Sequence, residues 1–199
     1  MSNKKKDSFL KQAFVTQTGG YLDVFSKREI WKQIGKGFKG QFNISHNSGN
    51  ELEILRLSIP YEEYEIKLSE SDTKPLKFEV QFNSLLEYEL IIGLEDSLEK
   101  ILKKFGKKEI EIGNEKFDKN YLIQSKDADK TINLFSEEII EYLLKYNVYS
   151  LSYITEKKQR KSKLTSVISR TIDDKKTLED LIILHEKIID KLKKQMIIK

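Results

Sequence analysis

Residues 54–82, ILRLSIPYEEYEIKLSESDTKPLKFEVQF, decide the fold class. Leu55, Leu57 and Ile59 alternate with Arg56 and Ser58; Tyr64, Ile66 and Leu68 alternate with Glu65 and Lys67; Phe78, Val80 and Phe82 alternate with Glu79 and Gln81. A period of two sends successive side chains to opposite faces, so these segments are strands with one buried and one wetted face. Parallel strands are covered on both faces and read as continuous apolar runs, so the alternation points to an antiparallel sheet. Asn47-Ser48-Gly49-Asn50, whose residues accept positive φ, and Ser71-Asp72-Thr73-Lys74-Pro75 punctuate the region as turns. Connections this short make the strands successive hairpins.

On either side of this stretch the period lengthens. Upstream, Ser26 to Ile34 (SKREIWKQI) predicts a short helix, with Ser26 as N-cap, Glu29 three residues later and Ile30, Trp31 and Ile34 on one face. Before it lies a leader, residues 1–25, with a short helical or irregular piece near Phe9–Val15 ended by Gly19-Gly20. Downstream, Tyr88–Ile92 predicts a strand closed by Gly93, and Leu98, Ile101, Leu102 and Phe105 predict a helix over 97–105. Ile110 and Ile112 alternate with Glu109 and Glu111 before a turn at Gly113-Asn114, and Tyr121-Leu122-Ile123 returns as a strand. A helix over 128–145 follows, capped by Asp127 or Asp129 and bent near Ser136, with Ile132, Phe135, Ile139, Ile140, Leu143 and Leu144 as its buried stripe. Tyr149, Leu151 and Tyr153 form a further strand, and the last helix, 176–194, opens with a capping box at Thr177. The expected fold is α+β: a mostly antiparallel sheet from Phe38 to Tyr153, covered on one side by three helices (97–105, 128–145, 176–194), with a short N-terminal helix, all in one domain over 26–199.

The stretch from Lys108 to Leu144 carries a motif: Ile110-Glu111-Ile112-Gly113-Asn114, then Phe117-Asp118-Lys119-Asn120-Tyr121-Leu122-Ile123 and Asp127, then Ile132 to Phe135. It resembles a family of uncharacterised bacterial domains in which a short strand and a turn precede Phe-Asp-x-x-Phe/Tyr-x-Ile/Val, an aspartate and a helix ending in Leu-Phe or Leu-Leu. The resemblance extends to Gly19-Gly20 and to the final helix after a weak strand, and it implies a bacterial origin. Two features depart from the pattern: only Arg56 stands where family members often carry a Thr-Arg-Ile-Arg strand, and the membrane segments of many members are absent from this sequence. Physically, Phe117 and Tyr121 read as core anchors and Asp118 as a turn or cap residue, so the motif is a folding signature.

Composition removes several chemistries. Of 199 residues, 34% are charged and the mean hydropathy is −0.54; the longest apolar run, Leu181 to Leu184, is far short of the roughly 18–20 residues a spanning helix needs, so no membrane insertion is expected. Lys4-Lys5-Lys6-Asp7-Ser8 is not the apolar core of a signal peptide, and a cytoplasmic protein is expected. Cysteine is absent, and His46 and His185 are the two histidines, far apart, so no metal site and no cofactor is expected. His185, on the apolar stripe of the last helix, reads as a packed, hydrogen-bonded residue. Gly35-Lys36-Gly37-Phe38-Lys39-Gly40 lacks the preceding strand and the Gly-Lys-Ser/Thr ending of a phosphate cradle and reads as a bend entering the first strand. No G-x-S-x-G occurs, and no carboxylate pair stands out among many, so no residue is nominated as catalytic.

The net charge of +4 is unevenly placed: residues 1–50 carry 9 basic and 3 acidic side chains, 51–155 carry 14 and 22, and 156–199 carry 13 and 7. A basic head and tail flanking an acidic middle attract one another before they attract anything else. The sharpest cluster is the segment 157–163, with Lys157, Lys158, Arg160, Lys161 and Lys163, which reads as a loop between a strand and a helix and nominates these five residues for partner binding. The expected function is a non-enzymatic interaction or accessory protein, acting on a protein partner or as a homo-oligomer through a sheet face, this segment or the last helix. The alternative is a nucleic-acid binder using the basic N- and C-terminal regions, although the segment has no interleaved aromatic for base stacking.

Overall fold

The computed structural model describes residues 24–46, 53–94, 109–156, 160–170 and 172–199. Its element order is α1 (Val24–Gly37), β1 (Gln41–His46), β2 (Glu53–Tyr61), β3 (Tyr64–Ser71), β4 (Lys74–Asn83), β5 (Glu89–Leu94), α2 (Glu115–Asn120), β6 (Tyr121–Ser125), α3 (Ala128–Leu134), α4 (Glu137–Lys145), β7 (Val148–Glu156), β8 (Lys161–Ile168) and α5 (Lys175–Lys194). The eight strands form one sheet in the order β1-β2-β3-β4-β8-β7-β5-β6. Every neighbouring pair is antiparallel. Leu55, Leu57, Ile59, Ile66, Leu68, Phe78 and Val80 are buried, whereas Arg56, Glu65, Lys67 and Gln81 are exposed, as the alternation requires.

The antiparallel α+β class stands, but its helical cover differs from the expected three helices. Five helices occur among the described residues, and the expected helix at 97–105 lies outside them, as do the leader up to residue 23 and the turn 47–50. The 128–145 helix is two, α3 and α4, broken at Phe135-Ser136, and Ile132 points outward at 43% exposure. Ile110 and Ile112 form no strand; only Glu109 makes an isolated bridge, to Gln124. The unexpected helix α2 follows, with Asn114 as its cap. α1 begins at Val24, so Ser26 lies inside it, and Gly35 to Gly37 close that helix. Gly40 makes the turn into β1: a Cβ there would meet the Ser58 carbonyl oxygen at 2.6 Å, too close for any other residue.

The largest departure is β8. The stretch from Lys161 to Ile168 is a strand in mid-sheet, paired with β4 on one side and β7 on the other. Its inward residues are Ser162, Leu164, Ser166 and Ile168, and two hydroxyls among four inward positions disguise the alternation. Each hydroxyl has a buried partner, so the strand satisfies its polar groups inside the core: Ser162 Oγ lies 2.6 Å from Tyr153 Oη and Ser166 Oγ 2.6 Å from His185 Nε2.

α5 buries Leu178, Leu181, Ile182, His185, Ile188, Ile189 and Leu192, the stripe its spacing predicts. It lies over the inner sheet face, where the His185 ring stacks on Phe78 at 4.1 Å between centroids. Its cap is Asp174, whose Oδ1 accepts from Thr177 N at 2.7 Å, in place of the expected Thr177 box. Asp174 satisfies one of the first-turn N–H groups and places negative charge at the positive end of the helix dipole. Asp174→Ala is expected to cost about 1 kcal/mol, read as a lowered urea midpoint at unchanged slope.

The charged head, middle and tail meet as ion pairs. Lys27 reaches Glu70 at 2.6 Å and Arg28 binds Glu53, tying the start of α1 to β3 and β2. From the tail, Lys163 meets Glu79 at 2.9 Å, Lys187 meets Glu138 at 2.7 Å, and Lys193 binds Glu62. Glu70 is 6% exposed and its pKa is raised, since burial outweighs the attraction of Lys27. Glu53 is lowered by the hydrogen bond from Arg28.

Candidate functional site: a groove at one end of the sheet

At one end of the sheet Asn83 of β4, Lys161 of β8 and Glu156 of β7 stand side by side as the last paired residues of the ladder. A groove of about 960 Å³ wraps this end, lined among others by Tyr64, Phe82, Ile154, Lys161, Lys163 and Lys199. Tyr64 meets Phe82 edge to face at 5.1 Å, and the Tyr64 hydroxyl donates to the Lys199 carbonyl. Ile154 stands on the outer face at 47% exposure. The groove therefore brings Tyr64 and Phe82 from the inner face and Ile154 from the outer face to one end of the sheet beside Lys161, Lys163 and Lys199, and Glu63 and Glu156 add carboxylates to its border.

The wall of the groove is fixed by a buried polar cluster. Ser84 Oγ lies 2.8 Å from Tyr153 Oη and 2.6 Å from Ser162 Oγ, and Tyr153 Oη and Ser162 Oγ lie 2.6 Å apart. Three hydroxyls in a ring can each donate once and accept once, which satisfies all three without water. Ser84 N also donates to the Arg160 carbonyl at 2.7 Å, and Leu85 N to that of Ile197 at 2.9 Å. The turn before β8 and the segment after α5 are thus both stitched to the end of β4.

The five nominated residues are distributed unequally. Lys157 and Lys158 lie outside the described residues. Arg160 occupies the turn with φ of 49°, exposed; Lys161 is exposed on the first position of β8. Lys163 faces outward from the same strand, but its ammonium is held by Glu79. Burial pushes the Glu79 carboxyl up, yet the hydrogen bonds from Lys77 and Lys163 outweigh it and hold it below the ordinary carboxylate range. So the described part of the segment, from Arg160 on, is a turn residue and a strand rather than a loop, and Arg160 with Lys161 is exposed at its start. Tyr64, Phe82 and Ile154 had no signal in the sequence, where each reads as one more alternating strand residue.

Other chemistry-bearing groups are absorbed by the fold. His185 is 1% exposed; its Nδ1–H donates to the Leu181 carbonyl at 2.6 Å, so the bare Nε2 accepts from Ser166 Oγ. Burial lowers its pKa to about 4, which keeps it neutral. Asp180 accepts from Lys176 at 2.7 Å and from the Tyr146 hydroxyl, bracing α5 against the end of α4. Burial raises the Asp180 carboxyl, but these bonds and that of Lys145 prevail and lower it. Among the described residues no three His, Cys, Asp or Glu side chains converge as metal ligands, and no helix is long and apolar enough to cross a membrane.

A single antiparallel sheet with a meander of four strands, a pair of later hairpin strands inserted beside it and a long final helix on its inner face defines the structural class. A mycobacterial protein of known crystal structure, the trehalose monomycolate transport factor A, TtfA, shares that fold at a TM-score of 0.50 and 8% sequence identity, over 83% of this chain and 92% of that one. At this identity the likeness is one of fold. No family model and no curated protein matches the sequence.

Proposed function

We propose that the protein is a non-enzymatic, cytoplasmic accessory protein that binds an acidic, extended segment of a protein partner in the groove at the end of β4, β8 and β7. The observation that carries this reading is the exposed Lys161 on a groove lined also by Tyr64, Phe82 and Ile154, with the exposed Arg160 one residue before it in the turn. An apolar side chain of an extended segment would cover Ile154 on the outer face while its carboxylates meet Lys161 and Arg160, the division between anchor and steering charge common to peptide recognition. The solved structure of similar fold bears the name of a transport factor, and an auxiliary role is compatible with that name.

The nucleic-acid alternative has less support, because Lys163, Lys176, Lys187 and Lys193 spend their charge on Glu79, Asp180, Glu138 and Glu62. The test is fluorescence anisotropy with a labelled peptide that alternates glutamate with leucine. Binding is expected to weaken with salt, and Lys157→Ala/Arg160→Ala/Lys161→Ala to weaken it about tenfold, three screened charges at a few tenths of a kcal/mol each or somewhat more. Affinity untouched by the triple change, or a single-stranded DNA probe that binds more tightly at low salt, would count against the proposal.

A further inference from the structure

The sheet has two edges, and the chain treats them differently. β6, over Tyr121–Ser125, carries no charged residue. The chain covers part of its outer side itself: Glu109 bridges Gln124, and Ile110 N donates to the Ile123 carbonyl at 3.0 Å. β1, over Gln41–His46, carries no Lys, Arg, Asp, Glu or Pro. Among the described residues nothing pairs with its outer side. Edge strands are ordinarily blunted by lysine, proline, a bulge or a covering segment. β1 has none of the first two, and its register with β2 runs from Gln41↔Ser58 to His46↔Glu53 without a shift. Phe42 and Ile44, on its inner side, are half-buried and retain apolar surface at the edge.

We infer that a second copy of this chain pairs antiparallel with β1 across a two-fold axis, joining the two sheets edge to edge. Directly opposed residues of an antiparallel pair share a face, so the axis must pass at a residue rather than between two. A register centred on Asn43 sets Phe42 against Ile44 of the second copy, and the symmetry repeats that apolar pair. Trp31 already tilts against Phe42 at 6.3 Å, so α1 backs the contact from the inner face. On the outer face Asn43 meets its own copy and Gln41 meets Ser45. A two-fold interface sets like against like, and a strand with a charge at its centre would repel itself; this one has none to repel. The same neutrality separates this surface from the cationic groove, so either can fail without the other.

Sedimentation velocity and native mass spectrometry on the full chain at tens of micromolar are expected to show a dimer. Asn43→Lys and Asn43→Asp each set like charges face to face at the axis and are expected to weaken the dimer roughly tenfold or more. Position 43 is exposed, so both variants should keep the monomer's melting temperature, read at concentrations too dilute for pairing. Mixing the two restores association, because lysine then faces aspartate. In the unsubstituted chain, amide exchange over 41–46 should slow as protein concentration rises. A monomer at these concentrations, a dimer indifferent to both substitutions, no recovery on mixing, or exchange independent of concentration overturns the inference.

Discussion

Phe117→Ala is expected to remove about 3–5 kcal/mol of stability, the cost of truncating a fully buried aromatic ring. The ring is inaccessible, stacks on Tyr121 at 4.7 Å and tilts against Phe135 at 5.6 Å. It is carried by α2, a helix of 6 residues, too short to hold itself. Its neighbours do the holding: Asn114 Oδ1 accepts from Phe117 N at 3.0 Å, and the Asp118 carboxylate accepts from Ile112 N at 3.0 Å and Gly113 N at 2.9 Å. Tyr121 Oη lies 3.0 Å from the Leu143 carbonyl and 2.9 Å from that of Val148, which ties β6 to the turn between α4 and β7. Removing Phe117 therefore opens a cavity where three segments converge, with little freedom to collapse. For a chain of this size the loss corresponds to a melting temperature lower by roughly 10 °C. A fall below about 1 kcal/mol in urea unfolding would show that the motif does not anchor the core.

Lowering the pH from 6.5 to 4 is expected to cost about 3 kcal/mol through His185 alone. The folded pKa is depressed to about 4 by burial, against 6.5 for the free side chain. The unfolded chain then binds a proton that the folded chain refuses, so stability is full above the unfolded value and is lost as the pH falls towards the folded one. Carboxylates such as Glu53 and Asp180, held below their ordinary range, lose their contribution at more acid pH, whereas Glu70 and Glu186, raised by burial, oppose the loss. The comparison with His185→Gln isolates the histidine. Urea unfolding at several pH values should show a steeper decline for the natural chain between pH 6.5 and 4; parallel declines would mean that the ring is hydrated or already charged.

The sheet from β2 to β4 was legible because Leu55, Leu57, Phe78 and Val80 are apolar wherever they point inward. β8 was not, because Ser162 and Ser166 point inward as hydroxyls and find their partners, Tyr153 and His185, on other elements. A pattern of hydrophobicity cannot register a buried polar residue whose satisfaction is long-range. α2 was hidden by its length, and the cap of α5 by having two acceptors, Asp174 and Thr177, within one turn. Of the groove, the charge of Lys161 was visible; its apolar lining was not, since Tyr64, Phe82 and Ile154 reach one end of the sheet only through the pairing of β3, β4, β8 and β7. Asp118 was legible as a turn residue because its partners, Ile112 and Gly113, are local, whereas the contacts of Phe117 with Phe135 and of Tyr121 with Leu143 and Val148 were not.

Trp31 is the single tryptophan of the chain, buried where α1 meets the sheet. The first turn of that helix holds no acidic residue to favour its dipole. Its seating leans on Lys27 with Glu70 and Arg28 with Glu53, which come from the sheet. The emission of one indole therefore reports the docking of one helix, while far-UV ellipticity reports the remainder, and the protein arrives already equipped to separate local undocking from collective melting in a cuvette.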